Sequence, residues 1–153
     1  MNRRLASVVA VIVSVAGCGG GATPASPTTS SVVSPAGNWS GAISDPVSGD
    51  GTATLSLSDQ AANSLTGTWS ATFKNGESFS GPAVATLSTP SGYGITLSVQ
   101  PPPPCDTTSG PGASALLGYT LINVVVTSSR LTAVSGRVSC SGPGFGSVNL
   151  SKQ

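Results

Sequence analysis

From Gly37 onward, apolar residues alternate with serine or threonine in short segments that glycine, proline, asparagine and aspartate separate. A period of two is typical of strands with one face packed on the core and the other exposed to solvent. No segment shows the 3.6-residue period of a helix. We therefore predict an all-β domain of eight strands. The predicted strands are Gly37 to Ser44, Gly51 to Ser58, Leu65 to Phe73, Ser78 to Leu87, Gly94 to Val99, Tyr119 to Thr127, Leu131 to Cys140 and Gly146 to Ser151.

The same alternation predicts which side chains point inward. In the second strand the serines and threonines from Thr52 to Ser58 occupy the opposite, solvated face. The predicted inward residues are Trp39, Ile43, Ala53, Leu55, Leu57, Leu65, Gly67, Trp69, Ala71, Phe73, Ile95, Leu97 and Val99.

Three places depart from regular alternation or mark its turns. Asn75-Gly76 predicts a hairpin with a type I′ turn, in which both central residues have positive φ. Pro82 cannot donate to a ladder and predicts a bulge or break in the fourth strand. Val124 to Val126 is a continuous apolar run, which predicts a strand covered on both faces.

Closure into an up-and-down antiparallel barrel would remove the strand edges that a sheet with few lysines otherwise exposes. A two-sheet β-sandwich is the alternative fold. Gly37-x-Trp39 at the start of the first strand, a domain of about 117 residues and a meander without helices resemble avidin-like and lipocalin-like barrels. The resemblance implies the barrel only, because Gly41 and Asp45 stand where the avidin pattern has biotin-binding asparagine and serine.

The first residues have the composition of an export signal. Arg3-Arg4 precedes an apolar run from Leu5 to Ala16, which is shorter than the roughly 20 residues needed to span a bilayer. Val15-Ala16-Gly17-Cys18 resembles the lipobox of bacterial lipoproteins, which implies cleavage before Cys18 and a lipid anchor on its sulfur. An ordinary secretory signal is the alternative.

These features divide the chain into three parts. Residues 1–17 are the predicted signal peptide, 18–36 the lipidated cysteine with a flexible linker, and 37–153 the barrel. The predicted location is the cell envelope, anchored by lipid, and the outer membrane if the host has one, because Gly19 rather than aspartate follows Cys18.

Two cysteines remain after Cys18. In an oxidising compartment Cys105 and Cys140 most simply form one disulfide. That bond would fix the proline-rich stretch Pro101 to Pro104 to the end of the seventh strand. The long loop through Ala115 is then either a clipped crossover or the rim of a binding site.

Composition excludes several kinds of chemistry. The chain has no histidine, charged residues make up 7% of it, and four basic residues face five acidic ones once Arg3 and Arg4 are set aside. Nucleic acid is therefore not expected as a partner, and neither a metal site nor a cofactor is expected. Gly76-Glu77-Ser78-Phe79-Ser80 lacks the last glycine of a nucleophile elbow. We predict that the chain is not an enzyme.

Three functions fit these restrictions. The first is a membrane-anchored module that binds a small apolar ligand, lined by Trp39, Trp69 and Phe73, or a protein partner. The second is a structural envelope lipoprotein with a filled barrel. The third is an inhibitor of a foreign hydrolase that uses Tyr93 or Arg130 as its central contact.

Overall fold

A computed structural model describes residues 32–61, 63–88, 92–103, 105 and 115–153. The predicted signal peptide, Cys18 and most of the linker lie outside these residues. The strands are β1 (Gly37–Asp45), β2 (Gly49–Ala61), β3 (Ser64–Phe73), β4 (Ser78–Ser88), β5 (Gly92–Ser98), β6 (Leu116–Val126), β7 (Arg130–Ser139) and β8 (Gly144–Lys152).

The eight strands form a closed barrel in which every strand pairs antiparallel with its neighbours in the chain. Pairing of β1 with β8, from Trp39 opposite Lys152 to Ser44 opposite Ser147, closes the barrel. The prediction of an eight-stranded up-and-down barrel is confirmed, and the sandwich alternative is wrong.

The barrel interior is filled with side chains from alternate positions of the strands. Of the residues predicted to point inward, Val99 is only half-buried and Gly67 has no side chain to bury, whereas all the others are buried. The buried apolar residues are Trp39, Ile43, Ala53, Leu55, Leu57, Leu65, Trp69, Ala71, Phe73, Ala83, Ala85, Ile95, Leu97, Leu116, Tyr119, Leu121, Leu131, Ala133, Val148 and Leu150.

The prediction of a doubly covered strand at Val124 to Val126 is wrong. Asn123, with φ of 53°, and Val124 together stand opposite one residue of β7, because the register shifts between Ile122 and Val125. This extra residue is a β-bulge. The bulge breaks the alternation, so Val125 remains 59% exposed on the outer wall.

Pro82 does not break its strand either. It stands opposite Thr68 without a shift in the register between β3 and β4. The ladder between β4 and β5 begins at Ala83 opposite Leu97, so Pro82 lies beyond the stretch where β4 pairs with β5. The missing N–H is therefore tolerated there.

The hairpin predicted at Asn75-Gly76 is present, but its turn differs from the predicted type I′ turn. Gly76 has φ of +90° whereas Asn75 has no positive φ, and Gly76 N–H donates to Phe73 O at 3.0 Å. Phe73 N–H in turn donates to Glu77 O at 2.9 Å. One glycine in the left-handed region is enough here, because the loop is one residue longer than the two-residue loop of a type I′ hairpin.

The barrel has two distinct ends. The N-terminal end contains the start of β1, the turns β2–β3, β4–β5 and β6–β7, and the end of β8. There Trp39 Nε1–H donates to Pro35 O at 2.8 Å and the Lys152 amine lies 5.3 Å from the centre of the Trp39 ring.

The disulfide end contains the other four connections. Cys105, in the β5–β6 connection, is bonded to Cys140, which follows β7. Residues 106–114 of that connection, part of the predicted loop, lie outside the described residues.

Close backbone packing predicts that a side chain added at Gly67 destabilises the fold. A Cβ there would overlap the carbonyl oxygen of Ser56, whereas a Cβ at Gly94 would contact nothing. We expect Gly67→Ala to lower the free energy of unfolding by about 1–3 kcal/mol, because the strands must move apart. Gly94→Ala, the control, should be neutral or slightly stabilising. Urea unfolding of both variants checks this, and equal stabilities would contradict it.

The disulfide predicts a second loss of stability. Its cysteines are 35 residues apart in the chain. On the loop-entropy account, replacing both cysteines by alanine should cost about 3–4 kcal/mol, since the unfolded chain regains that freedom. Thermal unfolding of the double variant, with and without reductant, measures the loss. A variant as stable as the oxidised protein would contradict the prediction.

Candidate functional site

The disulfide end encloses a buried cluster of three polar side chains. Tyr119 on β6 stands opposite Arg137 on β7, and Asp45 ends β1. Arg137 Nη1 donates to both Asp45 oxygens, at 2.8 and 2.9 Å, and the Tyr119 hydroxyl donates to Asp45 Oδ2 at 2.9 Å. One carboxylate thus joins β1 to β6 and β7, which are distant from it in the chain.

The same carboxylate also shapes the β1–β2 turn. Asp45 Oδ1 accepts hydrogen bonds from Val47 N–H at 2.8 Å and Ser48 N–H at 2.7 Å. Aspartate followed by proline is typical of such turns, because its short side chain can accept from the backbone two or three residues later. The turn sequence therefore positions the carboxylate that Arg137 meets.

These contacts determine the protonation of the cluster. Burial by itself would raise the pKa of Asp45, but the donors of Ser48, Arg137, Val47 and Tyr119 outweigh it and hold the pKa below its usual value. Burial, with the hydrogen bond to the Asp45 anion, raises the pKa of Tyr119 far above its usual range. The cluster is therefore a carboxylate, a neutral phenol and a guanidinium at neutral pH.

A second carboxylate, in the β3–β4 turn, is influenced by the charges of this cluster. The Ser48 hydroxyl and the Asn75 amide lower the pKa of Glu77, and the charge of Arg137 acts in the same direction. Asn75 Nδ2–H donates to Glu77 Oε2 at 2.8 Å. Glu77 itself is exposed. The fold thus brings together acidic residues that the sequence leaves scattered over turns.

Both oxygens of Asp45 are occupied by donors, which limits its chemistry. A carboxylate that accepts hydrogen bonds from two backbone N–H groups, a guanidinium and a phenol is poorly suited to accept a substrate proton or attack a substrate. Among the described residues, no group of three or more histidine, cysteine, aspartate or glutamate side chains could hold a metal ion. The cluster is arranged as a structural clasp.

The three residues predicted to line a ligand site are all inside the barrel. Trp39 lies at the N-terminal end, whereas Trp69 stacks edge-on against Tyr119 with 5.6 Å between ring centres. Phe73 packs against Phe79 at 5.9 Å. The indole N–H of Trp69 donates to Ser98 O at 2.8 Å, so both indoles have acceptors within the protein. The three side chains are part of the core and do not converge on one point.

Two clefts lie on the outer wall and none of these three residues lines either of them. One, of about 210 Å³, runs over Gly118 between Ser98 and Val138. The other, of about 230 Å³, lies between Tyr93 and Ile122. Both are smaller than the roughly 300 Å³ of ordinary ligand sites.

Tyr93 and Arg130, proposed as contacts for an inhibitor, lie at the N-terminal end. Tyr93 is half-buried against the core, whereas Arg130 is exposed and its Nε–H donates to Asn149 Oδ1 at 3.0 Å. Neither lies in a loop, because Tyr93 is part of β5 and Arg130 is the first residue of β7.

The outer rim of the disulfide end instead carries exposed apolar side chains. Phe145 on β8 is 65% exposed, and Val138 on β7 and Val47 in the β1–β2 turn are also exposed. We call these three residues the rim patch. A Cβ on Gly136, opposite Phe145 in the ladder, would lie 3.7 Å from the Phe145 ring, so the ring lies beside the glycine.

No protein-family model, curated protein or solved structure matches this chain. The avidin-like and lipocalin-like resemblance therefore stays a prediction from the sequence. No helix in the described part of the chain is long and apolar enough to cross a membrane. Cys18 lies outside the described residues.

Sequence reasoning missed Arg137 and Tyr119. A signal was present, because strict alternation from Leu131 through Ala133 and Ser135 places Arg137 on the inward face of β7. A charged residue at an inward position requires a buried partner. The identity of that partner, 92 residues away, depends on barrel closure.

The clasp predicts a specific loss of stability. Asp45→Asn removes the negative charge that the buried Arg137 guanidinium contacts, so we expect a loss of about 3–5 kcal/mol. The control Asp50→Asn breaks an exposed ion pair with Lys74 and should cost less than about 1 kcal/mol. Urea unfolding measures both variants, and equal losses would contradict the clasp.

The sign of the pH effect follows from the lowered pKa of Asp45. Its stabilisation is complete above the unfolded pKa of about 3.9 and is lost as the pH falls through the folded pKa. Wild-type stability should therefore fall more steeply below about pH 4 than that of Asp45→Asn. Parallel curves would show that Asp45 does not account for acid unfolding.

Proposed function

We propose that this chain is an exported lipoprotein, anchored by lipid on Cys18, whose filled and non-enzymatic barrel binds a protein partner through the rim patch. The observation that carries the proposal is the combination of a filled interior with large apolar side chains exposed outside. A binding protein for a small apolar ligand would be expected to have the opposite arrangement.

The filled interior argues against a ligand inside the barrel. An eight-stranded barrel is just wide enough either for side chains to fill it or for one small ligand to bind inside it. Here Trp39, Trp69 and Tyr119 occupy that space, and each has a hydrogen-bond acceptor within the protein. A ligand would have to displace the packed core.

The available side chains argue for a non-enzymatic role. The chain contains no histidine, and Asp45 is held by four groups. Glu77 is exposed in a turn, and its pKa is lowered rather than raised toward neutrality. A general acid or base working at neutral pH needs the opposite shift.

The rim patch has the composition of a protein-binding surface. Aromatic residues are enriched at such surfaces, and charged residues are depleted from their centres. Phe145 is the most exposed large apolar residue in the described part of the chain, and Val138 lies beside the 210 Å³ cleft. The ring of Phe145 would be the central contact.

The envelope location rests on the lipobox resemblance of Val15 to Cys18 and on the disulfide. Disulfides form and persist outside the cytosol. In a host with an outer membrane, Gly19 favours sorting to that membrane. Export and lipidation are tested by feeding cells a labelled fatty acid, which the wild-type chain should incorporate and Cys18→Ala should not. Label on Cys18→Ala would overturn the anchor.

Native mass spectrometry of the protein purified from host membranes tests partner binding. We expect the lipidated chain in a complex with a second protein, without a retained small molecule. Phe145→Ser should abolish the complex, whereas Val84→Ser, an exposed valine on β4, should leave it intact. A small molecule bound one to one would contradict the filled barrel. The lipidated chain alone would favour the structural alternative.

A further inference from the structure

The N-terminal end of the barrel differs from the disulfide end in its charges. The N-terminal end carries three of the described charged side chains, the basic Arg130 and Lys152 and the acidic Asp59. The disulfide end has three acidic residues, Asp45, Asp50 and Glu77, and two basic ones, Lys74 and Arg137. The N-terminal end therefore carries an excess of positive charge, and the opposite end an excess of negative charge.

The two bases at the N-terminal end are held close together. Arg130 stands opposite Ser151, the residue before Lys152. Lys152 N–H donates to Ser129 O at 2.9 Å, which ties the end of β8 to the β6–β7 turn. That turn is fixed by Thr127 Oγ1, which accepts from Arg130 N–H at 3.0 Å. Both Arg130 and Lys152 are exposed.

An apolar side chain stands beside these bases. The bulge at Asn123 leaves Val125 59% exposed on the outer wall, opposite Thr132 and close to the β6–β7 turn. Val32 and Val33, just before β1, are also exposed at this end. Bases flanking exposed apolar residues are typical of surfaces that lie in a lipid interface.

The chain itself brings this end near a membrane. β1 begins at Gly37, so the linker of residues 19–36 joins the barrel at the N-terminal end. A flexible segment of that length is expected to have an end-to-end distance of about 23 Å, close to the barrel's own length of about 25 Å. Such tethering gives effective concentrations of roughly millimolar, so a weak surface suffices for docking.

We propose that the N-terminal end docks on the anionic lipid surface to which Cys18 is anchored. Arg130 and Lys152 bind lipid phosphates, and Val125 enters the boundary between headgroups and acyl chains. The rim patch then faces away from the membrane. This inference rests on the proposed lipid anchor. Phe145 is larger than Val125, but its end is a barrel length from the linker and carries excess negative charge.

The test uses the full lipidated protein in nanodiscs of phosphatidylglycerol and phosphatidylcholine that contain a gadolinium-chelating lipid. Paramagnetic broadening of backbone amide signals reports distance from the bilayer. We expect Val125 and Arg130 to be broadened several-fold more than Gly76 and Phe145. Equal broadening at the two ends, or stronger broadening at Phe145, would overturn the proposal.

Matched variants test the contacts. Each cation near an anionic surface contributes about a fivefold change in binding. Arg130→Gln should therefore reduce the difference in broadening between the ends, whereas Lys74→Gln at the disulfide end should not. Val125→Ser should likewise reduce it and Val138→Ser should not. Unchanged broadening in both Arg130→Gln and Val125→Ser would overturn the proposal.

Different results would contradict the proposed lipid anchor and the proposed docking. Full-length Cys18→Ala, sedimented with anionic vesicles, tests the surface without lipid on the chain. Weak binding that Arg130→Gln decreases about fivefold supports docking even if fatty-acid labelling fails. Normal labelling together with no end-specific broadening overturns docking alone.

Discussion

Closure of the sheet by pairing β1 with β8 is the constraint on which the rest of the structure depends. Once Trp39 to Ser44 pairs with the last strand, every strand has two neighbours and no edge is open. Eight strands fix the diameter, and a barrel of this diameter is either filled by side chains or holds one small ligand. The close approaches at glycine follow from that closure, and buried side chains occupy the interior.

Closure also makes the Asp45 clasp possible. Asp45 and Arg137 are far apart in the chain and meet only because β1 and β7 both flank β8. A buried ion pair adds little net stability compared with apolar residues of the same size, but either partner alone is costly. The clasp therefore ties the β1–β2 turn to β6 and β7, and it favours the closed register over alternatives.

Much of the fold was predictable from sequence, because serine and threonine alternate with apolar residues on strands that are wet on one side. Trp39, Leu55 and Ile95 fell on the inward face for that reason. The bulge at Asn123 was not predictable, since a run of valines gives no period from which an extra residue could be detected. The partner of Arg137 was not readable either, because the contact depends on tertiary pairing. Predicting the rim patch would require knowing which wall of the barrel each exposed residue occupies.

The two ends of the barrel support different roles. The N-terminal end joins the linker and carries Arg130 and Lys152, while the disulfide end carries the clasp beneath an apolar rim. Both proposed roles use the outer surface and leave the interior packed with side chains. The chain has two tryptophans, Trp39 and Trp69, and both are buried in that interior.

Titration of the folded protein with a fluorescent fatty-acid analogue, followed by tryptophan emission, tests the occupied interior most directly. A filled barrel predicts that emission from Trp39 and Trp69 stays constant and that no saturable binding occurs. Saturable one-to-one binding that quenches the tryptophans would contradict it.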